Sequence, residues 1–221
     1  MQFVNYEKKE LHWWNKNYFW LVTIVYIVLN ISIHAIFKGN NILWQWSETK
    51  WSIFNGIRDL MISFANLYTH GDWGHVLGNM VAFFVASFYL ERKIGSFNFL
   101  CLLQVLSIFS SSMTSMYASL FWAGSSVLYY GVWAYLIIDF LFSLKEKNKI
   151  NNIIGIISIV CIYIGFCLTP DIITTTLEPV NLLYNAGHYY GFIVGLIVAI
   201  LVNVIKLQAK HSDDINFNKN K

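Results

Sequence analysis

The sequence predicts an all-α fold, a polytopic bundle of six transmembrane helices, and three observations carry that reading. Of the 221 residues, 57% are hydrophobic and only 12% charged, where a soluble domain carries roughly 25% charged residues. Apolar runs of about twenty residues, the length that crosses a hydrocarbon core at 1.5 Å per residue, recur six times along the chain. Positive charges collect at alternate connections between these runs, as in a chain threaded back and forth through a membrane.

The first run, Tyr18–Phe37, follows Lys8, Lys9 and Lys16. It is too long for a signal-peptide core and has no small-residue cleavage pattern, so it reads as a retained span. Asn41–Ile57 carries Trp44, Trp46 and Trp51, a composition suited to lying in the interface as a lip beside the bundle. Spans over Trp73–Leu90 and Phe97–Ala118 follow, then Ser126–Leu144 and Ile150–Leu168. Thr169–Asn185, with Pro170, Pro179 and Thr174, Thr175 and Thr176, reads as a cap leading into the sixth span, Ala186–Lys206. The expected organisation is a cytoplasmic tail over residues 1–17, a membrane domain over 18–206 and a solvated cytoplasmic tail over 207–221.

Lys8, Lys9, Lys16, Arg92, Lys93, Lys145, Lys147, Lys149, Lys206, Lys210, Lys219 and Lys221 fall on one set of connections, and only Lys38, Lys50 and Arg58 on the other. The positive-inside rule therefore puts both termini in the cytoplasm and makes the second, fourth and sixth spans run from the outer face inward. The net charge of +3 is spread over span ends and does not form a nucleic-acid-binding patch. Cys101, Cys161 and Cys167 lie within spans, which argues against a disulfide framework or a clustered metal site and for packing in the core.

Polar residues interrupt the apolar pattern at the first turns of those three spans: His70, His75 and Asn79; Gly124, Ser125 and Ser126; and His188. Such groups are expensive in a bilayer and mark function. His75 and Asn79, four apart, share a helix face, and both donate hydrogen bonds, as an oxyanion pocket requires. His70 stands just before that helix, where it can support the same pocket. Ser126 falls at a helix start, where free amides and the helix dipole favour negative charge, so its own amide suits the pocket too. Tyr130 lies one turn deeper as an aromatic wall. Gly187, Gly191 and Gly195 give the sixth span a small-residue face; packed against Gly131 and Ala134 of the fourth, it brings His188 to Ser126.

A neutral imidazole, with its ordinary pKa of about 6.5, can take the serine proton and return it to a leaving amine. No carboxylate stands near His188 in sequence, so a Ser/His dyad is expected rather than a triad. Ser125 is the alternative nucleophile, which would put Tyr129 at the aromatic position; helix-face spacing favours Ser126. Asp139 is a polar group near the inner end of the fourth span with no catalytic role.

Each residue alone has a plainer reading. Intramembrane histidine and asparagine often serve helix–helix hydrogen bonding, Gly-Ser-Ser is common in caps and loops, and Tyr130 fits core packing. Their joint occurrence at one depth favours a hydrolase. Zinc is disfavoured because there is no HExxH motif and His70 and His75 are not one turn apart, so no metal or cofactor is expected. A small transporter is a weaker alternative, since neither broken spans nor inverted repeats are visible.

The same residues resemble the rhomboid family of intramembrane serine proteases over Leu67 to Val204. His70-Gly-Asp-Trp-Gly-His75-Val-Leu-Gly-Asn79 resembles that family's HxxxxHxxxN signature, Glu91-Arg-Lys-Ile-Gly95 its ExxxG turn, and Asn185-Ala-Gly-His188-Tyr-Tyr-Gly191 its histidine helix. Gly124-Ser125-Ser126-Val127 is similar to its GxSG motif, with valine at the second glycine; the Trp-Arg pair often found in the first outer segment is absent. The resemblance implies a six-helix bundle with a water-filled outward cavity. It implies cleavage of transmembrane protein substrates within the lipid; the compact six-span layout with short tails points to a prokaryotic inner (plasma) membrane, and the charge asymmetry to a site opening outside. A catalytically inactive rhomboid-like protein that binds membrane clients is the alternative, and Val127 is its main support.

Overall fold

The computed structural model describes residues 20–37, 57, 65, 67–117, 124–144, 149–167 and 186–219. Six helices are found there and no strand: α1 (Leu21–Phe37), α2 (Trp73–Ile94), α3 (Ser96–Tyr117), α4 (Ser126–Ser143), α5 (Lys149–Cys167) and α6 (Ala186–Lys219). The tail over 1–17, the tryptophan-rich segment up to residue 56 and the expected cap over 169–185 lie outside the described residues. α2, α4 and residues Gly187–Ala209 of α6 are long and apolar enough to cross a bilayer. α6 continues past the apolar boundary at Lys206 as far as Lys219. Hydropathy stops there, but Leu207, Gln208, Ala209 and Lys210 are good helix formers, so the backbone need not stop with it.

α4 is the buried centre: Val127, Leu128, the run from Tyr130 to Leu136, and Asp139 are all inaccessible. α2, α5 and α6 pack around it, and α1 leans on α2. The outer faces are apolar and exposed, as at Val28 on α1, Phe109 on α3, Ile156 on α5 and Leu201 on α6. That inversion suits a hydrocarbon solvent. It also corrects one expectation: Cys101 is exposed on α3 and Cys161 is half-buried, because a membrane helix gains nothing by hiding a weakly polar thiol from lipid.

Two local devices set the frame. Asp72 caps α2 by accepting the His75 amide at 2.8 Å, satisfying one of the donors a helix start leaves free. At the far end Gly95, at φ 83°, lets the chain leave α2 while its N–H donates to the Glu91 carbonyl at 2.8 Å. α3 then begins at once. The fully buried Glu91 carboxylate accepts from the Val22 amide (3.0 Å), the Thr23 amide (2.9 Å), the Thr23 hydroxyl (2.5 Å) and the Ser96 hydroxyl (2.6 Å). The free amides and positive dipole end of α1 stabilise a charge that would otherwise be costly to bury. One side chain thus ties together α1, α2 and α3. At the same end of the bundle Lys93 of α2 pairs with Asp139 of α4, consistent with a structural part for that aspartate.

Glu91→Ala is expected to destabilise the protein by about 3 kcal/mol, because it strands several buried donors at once. Glu91→Gln should lose less, since its carbonyl oxygen still accepts. Denaturant unfolding in micelles checks the order.

Candidate active site

The loop before α4 turns at Gly124, where φ is +111°, a region closed to side chains bearing Cβ. Space closes it as well: a Cβ there would lie 3.2 Å from Asn79 Nδ2 and 3.2 Å from His75 Nε2. The loop backbone therefore lies flat against the His75/Asn79 face of α2. The two serines that follow diverge. Ser126 Oγ is 2.8 Å from His188 Nε2. Ser125, fully buried, puts its hydroxyl 3.3 Å and its amide 3.4 Å from His70 Nε2.

The tautomer of His70 follows from that pair. A backbone N–H can only donate, so Nε2 is the acceptor, and Nδ1 carries the proton and donates to the Tyr68 carbonyl at 3.3 Å. Burial, and secondarily the neighbouring His75, push the His70 pKa down to about 4, so the ring stays neutral at physiological pH. His70 thus holds the serine loop through both the amide and the hydroxyl of Ser125.

His188 reaches Ser126 because α6 has almost no bulk where it meets α4. A methyl group at Gly191 would overlap the Val127 carbonyl, and one at Gly195 the Gly131 carbonyl. The helices are therefore in backbone contact. Val127, where the resembled motif has glycine, is 1% exposed and packs in the hydrophobic core. Tyr130 stacks on the His188 ring at 4.4 Å and 20°, fixing its plane. Among the described residues no carboxylate bonds to His188.

Asn79 is 5% exposed and its Nδ2 has no partner among the described residues. His75 is accessible and meets His70 edge-on at 5.1 Å. An unpaired amide and an accessible imidazole therefore flank the backbone at Gly124. Every candidate named from the sequence, Gly124, Ser125, Ser126, His70, His75, Asn79, Tyr130 and His188, lies in this one region. His34 was missed: it is 5% exposed on α1, its ring 4.7 Å from Trp73 and 6.3 Å from His70. Its spacing, eight residues from Tyr26 and four from Asn30 along an apolar run, was the available signal. Among the described residues, no group of three or more His, Cys, Asp or Glu side chains is arranged to hold a metal.

A serine hydroxyl at hydrogen-bond distance from an imidazole, beside an unpaired amide and within a bundle of helices apolar enough to cross a bilayer, defines the protein as a membrane-embedded helical bundle with a polar site between its helices. The rhomboid domain family model matches residues 59–204, and the chain belongs to the rhomboid family. Members of that family are intramembrane serine proteases that act on membrane-protein substrates within the bilayer. No curated protein sequence matches the chain.

Gly191→Ala is expected to cost about 1–3 kcal/mol, because the overlap is with backbone that cannot rotate away. Gly78→Ala, where a Cβ meets nothing within 4 Å, should cost nothing; paired unfolding curves test the contrast. The unfolded chain protonates His70 near pH 6.5 and the folded protein only near 4, so its contribution is complete above pH 6.5. It should fall away by about 3 kcal/mol as the pH drops to 4, and His70→Gln should flatten that slope.

Proposed function

We propose that the protein is an intramembrane serine endopeptidase working through a Ser126/His188 dyad. The 2.8 Å contact between Ser126 Oγ and His188 Nε2 carries the reading. In the proposed reaction Ser126 Oγ attacks the scissile carbonyl carbon while His188 Nε2 takes the hydroxyl proton. The carbonyl oxygen becomes an oxyanion beside Asn79 Nδ2, His75 and the Ser126 amide, where donors fixed in advance need no reorganisation. Imidazolium His188 then protonates the leaving amine as the C–N bond breaks. A water, deprotonated by His188, releases the acyl group and restores both residues.

Tyr130, stacked on His188, and Gly124, which opens the loop towards α2, support the geometry. Ser125 is proposed to anchor the loop through His70, since its hydroxyl is buried and turned away from His188. The substrates are transmembrane proteins whose helices unwind locally at the site, irregular backbone being tolerated at membrane depth only beside protein or water. By charge asymmetry both termini are cytoplasmic and the site opens to the outside; the compact six-span layout suits a prokaryotic inner (plasma) membrane.

The test is labelling of the protein in liposomes with a fluorophosphonate probe. Ser126→Ala and His188→Ala should abolish labelling, Ser125→Ala should retain it, and Asn79→Ala should slow it by about 10²–10³-fold. Labelling that survives Ser126→Ala and vanishes with Ser125→Ala overturns the assignment of the nucleophile. Folded wild-type protein that neither labels nor cleaves overturns the protease reading in favour of a client-binding protein.

A further inference from the structure

A cavity of about 260 Å³ opens between α1 and α3, close to the lower limit of about 300 Å³ for pockets that hold small molecules. Among the described residues its rim is formed by Leu21, Val25, Leu29, Leu100 and Gln104, all exposed on the outer surface of the bundle. Its floor is formed by Tyr26, Leu67, Leu103, Ser107 and Leu128, all buried. The outer surface of a spanning bundle faces hydrocarbon, so this cavity opens to lipid.

Three of the lining groups are out of place in a surface built for hydrocarbon alone. The Tyr26 and Ser107 hydroxyls, in the floor, have no hydrogen-bond partner among the described residues. Gln104 and Ser107 are three apart on α3 and share a helix face, which puts an exposed amide at the rim one turn from the buried hydroxyl. Stranding a hydroxyl in apolar surroundings is costly, and most buried polar groups find a partner. Two stranded hydroxyls from different helices, lining one cavity, point to a ligand with a polar group of its own.

Depth and charge define that ligand. α3 begins at Ser96, so Ser107 lies about 16 Å along the helix axis, near the middle of a hydrocarbon core about 30 Å thick. Phospholipid head groups stay at the interface; only the ends of their chains reach this level, and those offer no hydrogen bond. None of the described lining residues is charged, so a charged head would be unpaired in hydrocarbon. The Tyr26 and Ser107 hydroxyls and the Gln104 amide each both donate and accept, which a hydroxyl matches in both senses.

We propose that this cavity binds an uncharged lipid alcohol, its hydroxyl held between Tyr26 and Ser107 and its chain leaving past Val25 into the bilayer.

Photo-crosslinking of the full chain in phosphatidylcholine liposomes tests the site, with a hexadecanol carrying a diazirine and an alkyne on its chain as the probe. Peptides of α1 and α3 should be labelled saturably, and unlabelled hexadecanol should compete where hexadecane does not. Tyr26→Phe and Ser107→Ala, which remove hydroxyls that hold nothing else in the fold, should each raise the hexadecanol needed to compete by about tenfold. Val25→Trp, at an exposed rim position, should abolish saturable labelling while leaving the unfolding midpoint in place. Labelling that does not saturate, or that hexadecane removes equally well, means ordinary contact with lipid chains and overturns the proposal. Labelling that persists in Val25→Trp places the probe elsewhere, and unchanged competition in both hydroxyl variants removes the polar contact; either result overturns it too. The readout involves no hydrolysis, so this site and the protease reading fail separately.

Discussion

The approach of α6 to α4 governs everything else at the site. Ser126 and His188 sit on different helices, and hydrogen-bond distance between their short side chains demands that the two backbones touch. Gly191 and Gly195 make that possible by presenting nothing but backbone to the Val127 and Gly131 carbonyls. In a bilayer, where burying apolar surface gives helices no special reason to associate, such close packing is itself a source of attraction. One stripe of glycines therefore holds α6 against α4 and sets the distance between Ser126 and His188.

Around that contact the polar groups divide their work by burial. Ser125 and Ser126 are adjacent in sequence, yet the turn of the helix start sends one hydroxyl to His70 and the other to His188. His70 is buried and neutral, with both ring nitrogens engaged. Asn79 is buried with its amide donor unengaged among the described residues. A saturated group is suited to holding a loop still, and an unsaturated one to receiving charge that appears only during a reaction.

At the opposite end Glu91 performs a different service. Its carboxylate replaces the missing partners at the start of α1 while its backbone carbonyl receives the Gly95 amide. The α2–α3 turn, the start of α1 and a buried charge are resolved by one residue. This keeps α1 against α2, and so keeps His34 of α1 beside Trp73 and His70.

Composition, span length and charge asymmetry sufficed to read six helices, because the hydrocarbon core imposes a length and a polarity that any sequence must show. Helix-face spacing likewise placed His75 with Asn79 and gave His188 a small-residue path to α4, since 3.6-residue periodicity is a local property. Partnerships between distant residues were not legible. That Glu91 would meet Val22 and Thr23, that His70 would meet Ser125, and that His34 would lie beside Trp73 all depend on how helices rotate about their axes. Rotation is fixed by packing over the whole bundle, so only the tertiary structure decided it.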